Sequence, residues 1–219
     1  MNQIKMNTAE KELYYQGDVI VKYVIEYPEI ISSPYELGKQ RFNQENRRIA
    51  LSLKQFAEGE FYRQAKETYE YNKKNGYPIM VYELMKECYI TFNYNKLVSL
   101  YCDEYTFSGG AHGSTIRSSQ NWDLELAKQI PLQDFYPNQP DYILKILQQI
   151  NEQIAEQIKK EGESIYFPDY CQLVIQTFNL NSYYLIPKGI MIFFQQYDIA
   201  PYSSGIREFL IQTKREKMI

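Results

Sequence analysis

The chain has 219 residues, with 24 Lys and Arg against 27 Asp and Glu, so its formal net charge is -3. A chain of this length can bury a substantial core, either as one domain or as two small lobes. The near balance of charge, without a strongly basic run, argues against a nucleic-acid partner, because phosphate binding requires clustered positive charge. Aromatic residues make up 16% of the chain and 22 of them are Tyr, which suits both half-buried sheet faces and wet binding surfaces.

The three cysteines, Cys88, Cys102 and Cys171, form no CxxC pair, which argues against a zinc cage or a thioredoxin-type motif. Cys88 and Cys102 flank a turn-like Asn93-Tyr-Asn-Lys96. A three-residue turn there would place them opposite each other across a hairpin, whereas a two-residue turn would pair Cys88 with Tyr101. The odd count and the lack of a secretion signal favour three free, mostly buried thiols.

The first 18 residues are polar and mixed in charge, and no apolar run in the chain approaches membrane-spanning length. We therefore expect a cytoplasmic protein without a membrane span, or an extracytoplasmic one if an N-terminal export or anchor segment has been removed. No phosphate loop or other cofactor motif is present, so no cofactor is expected. A lone histidine with scattered acids such as Asp103, Glu104 and Asp198 does not predict a metal site.

Residues 19–27 are rich in β-branched and aromatic side chains and predict a strand that ends at Pro28. After Pro34, apolar residues at every fourth position predict a long helix that ends near Asn75 and Gly76. Gly59 is a weak point inside this helix. The apolar stripe consists of Ile49, Leu53, Ala57, Phe61, Ala65 and Tyr69.

Residues 79–92 and 97–107 predict a long antiparallel hairpin, and residues 120–132 predict a second strand pair around a turn at 125–128. Pro140 can open a helix that ends near Gly162. Its apolar face contains Ile143, Leu147, Ile150, Ile154 and Ile158. A turn of Pro187, Lys188 and Gly189 predicts a hairpin of residues 183–186 and 190–197, followed by a short strand at 207–212.

This order of elements predicts an α+β fold with antiparallel sheets and two long helices packed on them, which can form two lobes. The N-terminal domain would span residues 1–117 with a strand, the long helix and the long hairpin. The C-terminal domain would span residues 118–219 with a hairpin, a helix and a hairpin.

The segment Tyr105-Thr-Phe-Ser-Gly-Gly-Ala-His-Gly113 contains the only histidine. Because a Gly-Gly step permits backbone angles that a Cβ forbids, it predicts an exposed, approachable loop. His112 either donates a hydrogen bond that holds this loop to a neighbouring strand, contacts a ligand, or acts as the base of a Ser-His-acid hydrolase. No GxSxG motif accompanies it.

The segment Tyr197-Asp-Ile-Ala-Pro-Tyr-Ser-Ser-Gly205 is the second candidate loop. Exposed tyrosines make good recognition surfaces, but Pro201 and Gly205 also favour a shaped turn in which Tyr202 has a structural role and Asp198 forms or caps the turn. If the two loops lie side by side, they form one rim. Trp122 is expected in the core, with sugar stacking as the alternative. The candidate ligand-binding residues are Tyr105, Gly109, Gly110, His112, Tyr197, Pro201 and Tyr202.

The two loops, together with the Ile130-Pro-Leu-Gln-Asp-Phe135 run before a helix, resemble the PdaC/RsiV-like tandem domains. The resemblance extends from about Asp18 to Gln212. This family occurs beside peptidoglycan deacetylase domains and as the extracytoplasmic part of a lysozyme-sensing anti-sigma factor. The resemblance implies an α+β module that binds a protein or an envelope ligand and performs no known reaction by itself.

The sequence therefore predicts a non-enzymatic, soluble binding or sensor module for an unknown protein or cell-wall ligand, such as peptidoglycan or a lysozyme-like protein. One alternative is a hydrolase of cell-wall carbohydrate or peptide with His112 as general base. Another is an assembly or dimerisation subunit with exposed Tyr-rich strands. The oligomeric state is left open, and the charged end Lys214-Arg-Glu-Lys217 is expected to be a solvated tail.

Overall fold

The structure is a computed structural model that describes residues 2–212, except for the side chain of Glu163. The charged end at residues 214–217 lies outside the described residues. Six strands form one sheet in the order β1 to β6, and three form a second sheet in the order β7 to β9. The strands are β1 (Gln3–Tyr15), β2 (Asp18–Ser32), β3 (Tyr82–Tyr94), β4 (Leu97–Phe107), β5 (Ser114–Asp123), β6 (Lys128–Gln129), β7 (Tyr183–Ile186), β8 (Gly189–Phe194) and β9 (Arg207–Ile211).

Four α-helices accompany the sheets: α1 (Glu36–Phe56), α2 (Tyr62–Asn75), α3 (Tyr142–Glu161) and α4 (Tyr170–Thr177). The predicted α+β class is confirmed. One departure is that β2 and β3 run parallel through residues 21–25 and 82–86. Helices α1 and α2 connect the end of β2 to the start of β3, so the chain enters both strands from the same end of the sheet. The pairs β5–β6 and β7–β8 are antiparallel as expected, and the pairs β1–β2 and β8–β9 are antiparallel too.

The predicted first helix exists, but a π-helical segment, Ala57–Phe61, divides it into α1 and α2. Gly59, the expected weak point, lies inside this segment. The helix ends as predicted at Gly76, whose φ of +71° is the left-handed conformation that glycine favours. The stripe of Ala57, Phe61, Ala65 and Tyr69 is buried, so the fourfold spacing did identify the inner face.

Two elements were absent from the sequence prediction. Residues 3–15, described from the sequence only as polar and mixed in charge, form β1, whose exposed edge position allows it to carry charged residues. Helix α4 has eight residues, too few for a clear helical repeat. By contrast, α3 ends at Gly162 as expected, and its Ile150 and Ile154 are 0% exposed.

The chain divides into two compact units. The first consists of Met1–Tyr89, Cys102–Ile116 and Leu124–Ala127, and the second of Ile90–Tyr101, Arg117–Asp123 and Lys128–Ile219. In the first unit, α1, the π segment and α2 contribute to a core with β2 and β3. In the second unit, α3 and α4 contribute to a core with β7, β8 and β9. The division into sequence-continuous domains at residues 117 and 118 stays a prediction.

The expectation of three free thiols was wrong. Cys88 of β3 and Cys102 of β4 form a disulfide, and Cys171 is free but exposed. The link connecting β3 to β4 consists of Asn95 and Lys96, and Asn95 has a φ of +50°.

Among residues 2–212, no helix has the length and apolar character needed to cross a membrane.

Candidate functional site

The glycine loop, residues 108–113, connects β4 to β5 in the first unit. Gly109 and Gly110 have φ values of +95° and +98°, so the prediction that this step uses glycine-specific backbone angles is confirmed. Ser108, Gly110, Ala111 and His112 are exposed. The loop is therefore presented to solvent by a backbone conformation that other residues rarely adopt.

Gly113 lies directly against the ring of Tyr105. A Cβ built on Gly113 would be 2.3 Å from Tyr105 Cε2 and 2.5 Å from the carbonyl oxygen of Thr106. Only glycine allows this approach, because a side chain would overlap both groups. Tyr105 is thus half-buried and supports the base of the glycine loop.

The His112 ring contacts the main chain of its own loop. Its Nδ1 lies 2.9 Å from the carbonyl oxygen of Gly113. Since a carbonyl only accepts, Nδ1 carries the proton and donates, which leaves Nε2 as the basic nitrogen. A ligand contact through His112 stays a prediction.

An exposed apolar segment lies beside the glycine loop and was absent from the sequence prediction. A Cβ built on Gly109 would be 3.2 Å from Met80 Sδ. Ile79 and Met80 are 39% and 37% exposed, and Tyr77 is 55% exposed. The Tyr77 ring pairs with that of Tyr71 at 6.1 Å between centroids. Only proximity in the fold reveals this neighbourhood, because residues 77–80 are distant from the loop in sequence.

Glu104, considered above together with His112 for a metal site, has Lys86 as its electrostatic neighbour. Burial raises the pKa of the Glu104 carboxyl, and the Lys86 charge opposes this shift. Burial also lowers the pKa of Lys86, which is 4% exposed on β3. This buried lysine could not be identified from sequence, because β3 carries charged residues on both of its faces.

The second candidate loop connects β8 to β9 in the second unit. Asp198 closes its first turn: Oδ2 accepts the Gln195 N–H at 2.7 Å, and the Asp198 N–H donates to Gln195 O at 3.1 Å. Burial raises the pKa of the Asp198 carboxyl. The turn-forming role expected for Asp198 is confirmed.

The loop is fixed to the body of its unit at two points. The Phe167 N–H donates to Ile199 O at 3.1 Å, and Ser204 Oγ donates to Ile165 O at 2.9 Å. Ile199 and Ala200 are buried. The loop is therefore a shaped structure between these anchors.

Tyr197 has an unusual conformation for its residue type, with a φ of +68°. Its side chain is 55% exposed, and its ring lies 5.9 Å from that of Tyr202, with 33° between the planes. Tyr202 begins a 3-10 turn after Pro201. A non-glycine residue at this φ costs about 1–2 kcal/mol. The second unit thus has two adjacent tyrosine rings at its surface, which we call the Tyr197/Tyr202 pair, although the backbone of Tyr197 is in an unfavourable conformation.

Trp122 is a core residue, as expected by default. It is 5% exposed, and its Nε1 donates to Gln120 Oε1 at 2.8 Å. Burial of the indole face leaves no surface on which a sugar could stack. Among residues 2–212 no group of three His, Cys, Asp or Glu side chains could hold a metal ion.

The glycine loop belongs to the first unit and the Tyr197 loop to the second. A common rim formed by the two loops stays a prediction.

Two family models match the chain. Residues 16–115 match the model described as deacetylase PdaC, and residues 133–214 match the model described as a protein of unknown function, DUF3298. The chain therefore combines a PdaC domain with a following DUF3298 domain.

A curated relative is the peptidoglycan-N-acetylmuramic acid deacetylase PdaC of Bacillus subtilis (strain 168). It is 26% identical over an alignment of 164 residues, and this alignment covers 67% of this chain and 35% of that protein. The chain thus spans about a third of the length of this relative.

Two solved structures share the fold at 18% identity each. A DUF3298 family member from Bacteroides fragilis has a TM-score of 0.70, with 96% of this chain and 90% of that chain covered. A DUF3298 family protein from Pseudomonas aeruginosa PAO1 has a TM-score of 0.63, with 97% and 91% covered.

Proposed function

We propose that the chain is a non-enzymatic binding module of the cell envelope, and that the Tyr197/Tyr202 pair contacts its ligand. The observation that carries the proposal is the left-handed backbone of Tyr197 together with its exposed, paired ring. Strained conformations persist where the surrounding structure enforces them, and they concentrate at ligand contacts.

Two adjacent tyrosine rings have a large amphipathic surface and lose little side-chain entropy on binding. Their faces can pack against the apolar face of a sugar ring while the hydroxyls bond to its oxygens. A glycan strand of peptidoglycan is therefore the first ligand to test. A lysozyme-like protein is the second, because paired tyrosines also suit protein surfaces.

An envelope location agrees with the Cys88–Cys102 disulfide. Disulfides persist in oxidising compartments and are rare in the cytosol. The relative named as a peptidoglycan deacetylase supports the same location. The proposal places the protein outside the cytoplasm, which is the second of the two locations considered from the sequence.

The test is direct binding to insoluble peptidoglycan, to soluble muropeptides and to lysozyme. Tyr197→Gly removes the ring and relieves the backbone, so the variant should be at least as stable as the parent while its affinity falls at least about tenfold. Tyr71→Ala, which removes a tyrosine that is 61% exposed in the first unit, is the control and should bind normally. Failure of the parent protein to bind any of the three ligands would reject the proposal, as would unchanged binding by Tyr197→Gly.

Hydrolysis with His112 as general base is the competing function. The Nδ1 contact to Gly113 directs Nε2 to the role of base. Incubation of the protein with muropeptides, followed by mass spectrometry, tests this role. Product that forms with the parent protein and not with His112→Gln would establish the hydrolase instead.

A further inference from the structure

Strand β1 forms one edge of the six-stranded sheet. It has 13 residues and pairs with β2 in a regular antiparallel register from Ile4↔Ile30 to Leu13↔Val21. Edge strands present backbone N–H and C=O groups that a further strand can bind. The direction of these groups in β1 follows from the contacts of β2.

Asn43 of α1 occupies both backbone groups of Ile30. The Ile30 N–H donates to Asn43 Oδ1 at 2.8 Å, and Asn43 Nδ2 donates to Ile30 O at 2.9 Å. These groups therefore point away from β1, and Ile4 and Ile30 form a non-hydrogen-bonded pair. Pro28 lies two residues away and opposite Met6, so its backbone nitrogen also faces away from β1. The lack of an N–H at Pro28 therefore costs no hydrogen bond to β1.

The pattern alternates along an antiparallel pair. Residues of β1 with even numbers therefore direct their N–H and C=O groups to the open edge, and those with odd numbers bond to β2. The outward residues are Ile4, Met6, Thr8, Glu10 and Glu12. Within residues 2–212, the hydrogen bond that reaches this edge comes from Tyr62 to Tyr14 O, beyond the regular ladder.

The charges of β1 are distributed by face. Lys11 pairs with Glu58 of the π segment at 3.0 Å, so odd-numbered residues, including Lys5, face the helices. Glu12 pairs with Lys22 at 2.8 Å on the other face, which also carries Glu10. Lys5 and Glu10 are exposed and neither forms a salt bridge among the residues described, although Lys5 lies opposite Glu29, whose pKa its charge helps to lower.

This distribution disfavours a second copy of β1 as the occupant of the edge. In antiparallel pairing, outward residues of one strand face outward residues of the other. The helix-covered face would then hold only the lysines of both copies, and the other face only the glutamates. Like charges directly opposite each other are destabilising, so registers that oppose Lys5 to Lys11 or Glu10 to Glu12 are disfavoured for a second copy, and a segment with complementary charges fits the edge better.

We propose that the β1 edge binds an extended segment of a partner protein as an added antiparallel strand. The segment has an acidic residue opposite Lys5 and a basic residue opposite Glu10, five positions nearer its N-terminus. Main-chain hydrogen bonds to Ile4, Met6 and Thr8 supply affinity, and the two charge pairs supply register and orientation. This surface lies wholly in the first unit and does not depend on the Tyr197/Tyr202 pair.

The test uses the synthetic peptide Lys-Thr-Val-Thr-Val-Glu-Val, which places valines opposite Ile4, Met6 and Thr8 in the proposed register. Titration to millimolar concentration into the 15N-labelled protein should shift the amide signals of these three residues and slow their hydrogen exchange. The control peptide Glu-Thr-Val-Thr-Val-Lys-Val has the same composition with its charges exchanged. It should bind about fivefold more weakly, since both charge pairs become repulsive.

Two variants separate edge binding from other effects. Thr8→Pro removes an outward N–H that has no role in the β1–β2 ladder, and should weaken peptide binding at least about tenfold. Thr8→Val keeps the N–H and should bind like the parent protein. Equal affinity for the two peptides, or no change in the three amides at millimolar peptide, would overturn the proposal. Sedimentation that shows a dimer with these amides already protected would assign the edge to a second copy instead.

Discussion

Gly38 of α1 lies directly against the backbone of Leu124. A Cβ built on Gly38 would be 2.0 Å from Leu124 O and 2.5 Å from Leu124 Cα. Arg41, one turn further along α1, donates to Ala127 O at 3.2 Å. The start of α1 is thus held against the turn that follows β5.

Gly38→Ala should destabilise the protein by about 3 kcal/mol or more, because the new methyl group can be accommodated only by displacement of backbone. Gly59→Ala is the matched control, since a Cβ at Gly59 meets nothing within 4 Å. It should be neutral or stabilise by about 0.5–1 kcal/mol. Urea unfolding of both variants measures the difference, and similar losses would contradict the close approach at Gly38.

Reduction of the Cys88–Cys102 disulfide should lower the free energy of unfolding by about 3 kcal/mol. The crosslink closes a loop with a sequence separation of 14, and its loss frees the unfolded chain. Guanidinium unfolding with and without a reductant measures the effect. Cys171→Ser is the control and should respond to the reductant like the parent, because Cys171 is outside the disulfide. Equal stability with and without the reductant would show that the crosslink is not formed.

Proline substitution should distinguish adjacent residues of β1. Ala9→Pro removes an N–H that bonds to β2 and should cost about 3 kcal/mol. Thr8→Pro removes an outward N–H and should cost about 1 kcal/mol or less. Thermal unfolding compares the two variants. In the parent protein, amide exchange should be slow at residues 5, 7, 9 and 11 and fast at residues 4, 6, 8 and 10, and the reverse alternation would refute the assigned register.

Stability should fall at alkaline pH through Tyr23. Burial and the hydrogen bond to Glu58 raise its pKa to about 12, whereas the unfolded value is about 10. Between these values the folded state holds the proton more tightly than the unfolded state. The resulting stability is therefore complete below about pH 10 and is lost as the pH rises toward about 12.

Tyr23→Phe should be less stable than the parent at neutral pH and should lose less stability between about pH 9 and 12, by roughly 2 kcal/mol at most. Urea unfolding across this range measures both slopes. Tyr94→Phe is a suitable control, because Tyr94 is 51% exposed. Parallel curves for the parent and Tyr23→Phe would exclude the assigned pKa.

The long helices were predictable because their apolar spacing is regular over many residues, and because Gly76 and Gly162 mark their ends through their backbone freedom. Strand β1 was missed because an edge strand can carry charged residues on both faces. The run of Glu10, Lys11 and Glu12 interrupts the alternation of polar and apolar residues that would have predicted a strand. The disulfide was missed for two reasons. The residues around the turn left the register of the hairpin open, and the lack of a secretion signal favoured a compartment in which thiols stay reduced.

Part of the candidate site was also predictable. Glycine and proline have distinctive backbone preferences. The positive φ of Gly109 and Gly110 and the turn at Pro201 could therefore be expected from the sequence. The left-handed backbone of Tyr197 could not, since tyrosine has no preference for it and the surrounding anchors enforce it. Residues 77–80 became neighbours of Gly109 only through the fold.

The stretch between the two family-matched regions, residues 116–132, would be drawn as a spacer in a domain diagram. In the structure it includes Trp122 and Leu124, which are 5% and 1% exposed. Within it, β5 passes from the first unit to the second between Ile116 and Arg117. A chimaera can join the PdaC region of one relative to the DUF3298 region of another. In such a chimaera, residues 116–132 should come from the same protein as the core residues that they contact, and a junction at residue 117 would divide strand β5.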